Sequence, residues 1–423
     1  MDDAWREARE AHVAGLSGSP LWVVCAVSLV LPVAAAASMA MSRWPVAAYA
    51  VRVFLLPPGL LQAGVAALST YRAMVMVATA VAILAVDFDA FPRMYAKTEV
   101  HGVSLMDVGV GSFVFSKGMV TPPERKATLG AFVANLAPLL VMANIRLVVH
   151  KAIGYQEHVS EYGVHLSFYH TLCGILVVAW TLPRMSRAAA AALGLAAAAA
   201  YQLALTGYDS GALQAYLLDP DPVSRTTSFA AANREGLYSL GGYAGLLLLG
   251  MGVGAGRNLA SPRRLLAIAA AAWAVYAGLV LGFGLQASRR LANGPYIAWI
   301  VAHNVSLLAA LVALHAYGGR GAWKQAISPA VAFVNGHQLL FFILANLGTG
   351  IVNLSIDTLS FGPTFALIVV SCYILAVPLV VSAASSAIGL VFSTPTSTPT
   401  SPIYTSPATD CRGPGSGQKK RNT

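Results

Sequence analysis

From Pro363 to Val391 the chain reads PTFALIVVSCYILAVPLVVSAASSAIGLV, a run without one charged side chain. About 20 apolar residues at 1.5 Å each cross the hydrocarbon of a bilayer as a helix. This run is longer, with room for a break at Pro378, whose ring removes a helical donor. Apolar blocks recur near 21–41, 46–68, 72–86, 129–149, 164–182, 188–206, 236–255, 265–285, 296–317 and 329–353. With a short or re-entrant piece around 103–116 they predict about 11 to 13 spans. Pro57 and Pro58 predict a kink in the second block. Of 423 residues, 57% are hydrophobic and 10% charged, against roughly 25% charged in a soluble domain. The predicted fold class is therefore all-α, a polytopic membrane helical bundle forming one domain over 1–391. Residues 392–423 are rich in Ser, Thr and Pro and end in the basic Lys419, Lys420 and Arg421, which predicts a disordered tail on the cytosolic side. Residues 1–20 mix acids with bases, and the block from Leu21 is too long for a cleaved leader, so the first helix is expected to stay in the mature protein.

The 27 Lys and Arg against 17 Asp and Glu sit mostly in short loops, the pattern of positive-inside topology. No basic run with interleaved aromatics occurs outside the tail, so no nucleic-acid partner is expected. Membrane lipids, and phosphates of a lipid or of coenzyme A, are the anionic partners that fit. Cys25, Cys173, Cys372 and Cys411 are too far apart for a metal spacing or a disulfide framework, and no metal is expected. Residues 187–201 are mostly Ala, a close-packing helix without chemistry. The block 265–285 has Arg263 and Arg264 before it and Arg289 and Arg290 behind it. Positive-inside counting cannot be satisfied at both ends, so one pair either binds an anion or snorkels to the interface.

An ionisable side chain at mid-membrane costs about 2.5–3.5 kcal/mol on insertion scales, so polar clusters need an explanation. Four stand out. The densest runs from Asp87 to Lys117 and holds Asp89, Arg93, Lys97, Glu99, Ser104, Asp107, Gly109, Gly111 and Ser112. On one straight helix Asp107 and Lys117 would stand about 15 Å apart and could not cooperate. The glycines at 109, 111 and 118 allow another reading, a segment broken into a turn whose N–H groups cradle an anion. Irregular backbone at membrane depth survives only where it lines a cavity. The alternative is that both charges are interfacial, or a neutralising pair that fixes packing.

The second cluster is Glu161, His165, His170 and Thr171; a buried His can be a base or a structural hydrogen-bonder. The third is Asn233, Arg234 and Glu235 at the mouth of a span, which reads equally as a sugar or phosphate contact and as a helix cap with Glu235 favoured by the dipole. The fourth holds Arg289, Arg290, Asn293, Tyr296 and Asn304, then a polar stripe at 335, 338, 346, 349 and 353 that faces either other helices or a cavity.

These residues carry a family resemblance. Asp87-Phe-Asp-Ala-Phe-Pro-Arg93, Lys97-Thr-Glu99 and above all Ser104-Leu-Met-Asp-Val-Gly-Val-Gly-Ser-Phe-Val-Phe115 resemble the glycosylphosphatidylinositol (GPI) inositol acyltransferase family. So do Glu161-Tyr-Gly-Val-His165, Asn233-Arg-Glu-Gly236 with Gly242-Tyr243, and Asn346-Leu-Gly-Thr-Gly-Ile-Val-Asn353, all in the family's order. The resemblance covers roughly residues 80 to 360 and excludes the tail. It implies a multi-pass endoplasmic reticulum enzyme that moves a fatty acyl group, usually palmitoyl, from acyl-coenzyme A to the inositol of glucosaminyl-phosphatidylinositol, with no tightly bound cofactor. It further implies that Asp107 is the catalytic carboxylate and Lys117 its companion ten residues later. Leu166, Ser167 and His170 depart from the pattern, where aromatic and amide residues are usual.

Acyl transfer from a thioester needs a base beside the attacking hydroxyl and dipoles where the carbonyl oxygen becomes negative. The expected roles are Asp107 as base with Lys117, and backbone N–H groups near Gly109, Gly111 and Ser112 as oxyanion donors. Asp89, Arg93, Lys97, Glu99, His165, Asn233, Arg234, Asn346 and Asn353 form the expected substrate-binding set, and Arg289 with Arg290 would hold the phosphates of acyl-coenzyme A. A transporter is the other class to weigh, because broken helices and charges at depth also mark substrate pathways. The Met-Asp-Val-Gly-Val-Gly segment, however, is not repeated. A non-catalytic assembly subunit would tolerate loss of both Asp107 and Lys117.

Overall fold

The computed structural model describes His12, residues 15–28, 60–153 and 159–254, Leu259, and residues 261–317 and 329–392. Pro57, Pro58, most of the first two apolar blocks and the tail from Ser393 lie outside these. The chain divides into a compact unit, Met1–Val381, and a second, Ser382–Thr423, whose described part is the end of the last long helix.

Ten helices carry the fold: α1 Leu60–Ala85, α2 Val108–Val120, α3 Leu129–Ile153, α4 Phe168–Thr181, α5 Arg187–Thr206, α6 Arg234–Val253, α7 Pro262–Ala277, α8 Gly294–Tyr317, α9 Gln338–Ser355 and α10 Pro363–Phe392. Among the described residues seven are long and apolar enough to cross a membrane, α2, α4 and the stretch Leu129–Ile145 of α3 are shorter apolar pieces, and there is no strand. The chain is an all-α polytopic membrane protein. Leu367, Leu379, Leu281 and Leu203 are exposed on the outside of the unit, as lipid-facing side chains must be.

Three local expectations change. Residues 60–68 and 72–85 are one helix, α1, which carries Arg72 in its interior. α10 runs through Pro378 without ending. The block 329–353 is divided at His337 into Pro329–Gly336 and α9, so its polar stripe does not lie on one helix.

Small residues set the packing. The Ala-rich α5 starts at Ser186, whose hydroxyl accepts from the Ala189 N–H at 3.1 Å, and lies against α6 with Gly194 beside Gly245 and Leu249. A Cβ on Gly194 would stand 2.8 Å from the Leu249 nitrogen, so the helices meet backbone to backbone. α8 is the innermost helix, with Tyr296, Trp299, Ile300 and Val305 fully enclosed.

The helices alternate in direction, so the connections gather at two faces. The first face carries 86–107, 159–167, 207–233, 283–293 and 356–362. The second carries 121–128, 182–186, Gly254, Leu259 and Ser261.

Candidate active site

Asp107 lies at the first face, immediately before α2, and is wholly buried. Its Oδ1 accepts from Arg289 Nε at 2.8 Å, and its Oδ2 from the hydroxyls of Thr98 at 2.8 Å and Ser104 at 2.9 Å. The Thr98 N–H reaches both oxygens at 3.2 Å, and the Asp107 backbone is fixed at its N–H by Ser104 Oγ and at its carbonyl by the Tyr296 hydroxyl, 2.9 Å away. Short charge-assisted bonds of this kind pre-set a carboxylate. Behind Arg289 the ion pairs continue to Glu161 at 3.4 Å and from Glu161 to Lys97 at 3.0 Å. The path runs from a half-exposed Lys97 to a buried Asp107 with two charges of each sign. Burial pushes the Asp107 carboxyl up, while Arg289, Thr98 and Ser104 pull it the other way. Burial works against the Arg289 charge, yet the carboxylates of Glu161 and Asp107 hold that guanidinium more basic than usual.

A second buried network stands beside the first. Glu235, fully enclosed near the start of α6, accepts Arg225 Nη2 at 2.6 Å and Arg290 Nη2 at 2.7 Å. Arg234 donates to Ser224 Oγ at 2.9 Å and to the Asp219 carbonyl, and lies over the Tyr216 ring. This knots the 207–233 connection onto the bundle. The two arginines after α7 are therefore neither topological nor free: Arg289 belongs to Asp107, and Arg290 to Glu235 and the Leu217 carbonyl. Arg263 and Arg264 remain exposed at the other end of α7, and the positive-inside conflict disappears. A phosphate of coenzyme A at Arg289 or Arg290, as expected from sequence, would have to share guanidiniums that are already paired with carboxylates.

The expected broken segment is also corrected. α2 is a continuous helix through Gly109 and Gly111, so no cradle of N–H groups forms there. A Cβ on Gly111 would lie 2.7 Å from the Tyr296 hydroxyl and from Ile300; this glycine admits α8. Ser112 donates to Asn304 Oδ1 at 2.8 Å, as does Tyr71 at 2.7 Å. Being helical, α2 holds Lys117 about 15 Å along its axis from Asp107, and the pairing expected for Asp107 is made by Arg289 instead.

The substrate-binding set is scattered. Lys97 and Arg234 join the two networks above. Asn233 is buried and accepts from the N–H groups of His165 at 2.7 Å and Leu166 at 3.2 Å, while its amide faces His165 Nδ1 at 3.1 Å. That bond leaves the proton of a neutral His165 on Nε2. Asn233→Ala is expected to lower unfolding stability by about 1–3 kcal/mol, the cost of two buried N–H groups losing their acceptor; thermal unfolding in detergent reads it. Arg93 caps the end of α1 through the carbonyls of Val86 and Phe88. Asp89 and Glu99 are exposed, Glu99 accepting from Gly15 N. Asn346 bonds the Phe342 carbonyl of its own helix, and Asn353 ties α9 to Asp87. Ser167 and His170, which depart from the family pattern, cap the start of α4 with reciprocal bonds. Three side chains that bind Asp107 or its backbone, Thr98, Ser104 and Tyr296, had no assigned role from sequence, and nothing but folding brings Tyr296 there.

The family model described as GWT1 matches residues 56–384. The chain is 36% identical over 329 residues to "Uncharacterized protein At4g17910" of Arabidopsis thaliana, covering 75% of this chain and 73% of that one. It is 38% identical over 348 residues to "GPI-anchored wall transfer protein 1" of Gibberella zeae, covering 70% and 68%. It is 33% identical over 360 residues to "Glucosaminyl-phosphatidylinositol-acyltransferase PIGW" of Bos taurus, covering 73% and 71%.

Proposed function

Because the chain belongs to the GWT1 family, we propose that this multi-pass membrane acyltransferase takes a fatty acyl group, palmitoyl first among the candidates, from acyl-coenzyme A and esterifies the inositol of glucosaminyl-phosphatidylinositol. Its work is a step of GPI-anchor synthesis, and we assign it to the endoplasmic reticulum membrane. The observation that carries the reading at the level of chemistry is the buried Asp107, held by Thr98, Ser104 and Arg289 inside the segment that the family model matches.

Two fully buried carboxylates compete for the role of base. Glu235 has both oxygens taken up by Arg225 and Arg290, with Arg234 close by, which leaves no acceptor position for a substrate hydroxyl. Asp107 has one guanidinium and two hydroxyl donors. An incoming inositol hydroxyl can take over the bond from Ser104 or Thr98 without breaking the Arg289 pair. Its oxygen then bonds to the thioester carbonyl carbon, the carbon–sulfur bond breaks, and its proton passes through Asp107 to the departing thiolate, so no further reactant is consumed. His165, held at Nδ1 by the Asn233 amide, is a candidate donor to a sugar oxygen through Nε2. The transporter reading loses one of its motives, since the segment around Asp107 expected to break is a plain helix.

The deciding assay is transfer from labelled palmitoyl-coenzyme A to glucosaminyl-phosphatidylinositol by the purified chain in nanodiscs. Folded protein without transfer would refute the reading. The rate should fall as pH drops through the pKa of Asp107, because only the carboxylate accepts a proton. Since burial raises that pKa, the acid limb is expected above the ordinary aspartate value of about 3.9. A rate that stays flat down to that value would remove Asp107 as the base.

A further inference from the structure

Two cations inside the bundle have no acid beside them among the described residues. Arg72 and Lys117 sit on α1 and α2, helices that run antiparallel: the position of Gly109 faces Thr79, and two turns further along, on the same faces, Lys117 comes opposite Arg72. The Arg72 charge acts on Lys117. α9 completes the group. Phe113 packs on Phe342 with ring centres 5.6 Å apart, and one turn on from each, Lys117 comes opposite Gln338. Gln338 Oε1 accepts from Arg72 Nη2 at 2.6 Å, and its amide is held by Asn335 Oδ1 at 3.0 Å. Among the described residues the Lys117 ammonium makes no hydrogen bond or ion pair, and Arg72 Nε is buried without a partner. Elsewhere the buried arginines facing this bundle, Arg289 and Arg290, meet carboxylates. Unneutralised like charges this close, in an apolar bundle, are unfavourable unless an anion joins them.

We propose that Arg72, Lys117 and Gln338 form an anion site that takes a phosphate of the acyl donor. The surroundings agree. Thr121, whose hydroxyl donates to the Lys117 carbonyl at 2.7 Å, lines a crevice at the second face with Arg125, Lys126 and Arg184. That face carries Arg125, Lys126, Arg184, Arg187, Arg263 and Arg264 against Glu124 among the described residues, a basic rim that suits an anionic donor. The assignment to the donor rests on the acyl-transfer reading above. In the acceptor lipid the phosphate is bonded to the very ring that bears the attacking hydroxyl. It cannot lie about 15 Å from Asp107, the distance that ten residues of α2 impose. In acyl-coenzyme A the pantetheine arm separates the phosphates from the thioester and can bridge such a gap.

The test measures coenzyme A binding without turnover, by the full chain in nanodiscs, for wild type and Arg72→Gln, with phosphate-free pantetheine as the second probe. Coenzyme A affinity is expected to drop about tenfold or more in Arg72→Gln, the size of a lost charged hydrogen bond, with pantetheine binding unchanged. KM for palmitoyl-coenzyme A should rise in parallel while KM for the acceptor lipid stays put. Gln338→Leu, which keeps both charges but frees the Arg72 side chain, should weaken coenzyme A binding less, and it serves if Arg72→Gln does not fold. Unchanged coenzyme A affinity in both variants overturns the site, and a rise confined to the acceptor KM overturns its assignment to the donor. Transfer that proceeds normally in Arg72→Gln would sink this inference and leave the activity standing. Arg72-dependent binding without transfer by wild type would do the reverse.

Discussion

Asp107→Asn is expected to lower acyl transfer by about 10²- to 10⁴-fold, the usual worth of a positioned general base, with the chain still inserted and folded. The amide can keep bonds from Thr98 and Ser104 at its oxygen, so geometry is nearly conserved while proton acceptance is lost. Its NH2 group would, however, turn a donor toward Arg289 Nε or lose that bond, which separates two explanations for an inactive variant. If Asp107 is the base, the residual rate of Asp107→Asn no longer shows the acid limb. If Asp107 only anchors Arg289, the residual rate keeps the wild-type pH profile and Arg289→Met falls by the same factor. Rate and pH profile, measured on protein whose thermal unfolding has been checked, decide between them.

The largest stability effect is expected at Glu235, not at Asp107. Glu235→Gln leaves Arg225 and Arg290, both largely buried, without the carboxylate that neutralises them. Removing one partner of a buried ion pair typically costs about 3–5 kcal/mol, because the remaining charge is stranded. The acid also stands in the first turn of α6, where the helix dipole favours it. A double-mutant cycle with Arg290→Met is the measurement. The double variant should recover part of the loss, since it removes one stranded cation, and additive losses would show that the pair is not coupled. Because Arg225 and Arg234 tie the 207–233 connection to the same knot, protease sensitivity of that connection should rise in Glu235→Gln before the bundle unfolds.

The membrane class and the candidate centre were legible for different reasons. Uncharged runs such as 363–391 bind a helix to the bilayer by length alone, and the motif around Asp107 carried the family through residue identities in order. What sequence misread follows from its one-dimensional view of charge. Ser69, Thr70 and Tyr71 looked like a boundary between the blocks 46–68 and 72–86, yet α1 runs through all three, Tyr71 bonding Asn304 and the following Arg72 bonding Gln338. Gly109 and Gly111 looked like a hinge because glycine allows one, and the structure uses the missing Cβ of Gly111 for close approach of α8.

The sequence by itself determined that the chain is an apolar helical membrane protein, which residues are its scarce charges, and which family it resembles, since these depend on composition and local order. Only the tertiary structure decided the partners. Asp107 pairs with Arg289 from 182 positions away, Glu235 gathers Arg225 and Arg290, and Arg72 with Lys117 meets no acid among the described residues. The energy of a buried charge is set by what lies within a few ångströms of it, and in a bundle of alternating helices those neighbours come from remote parts of the chain.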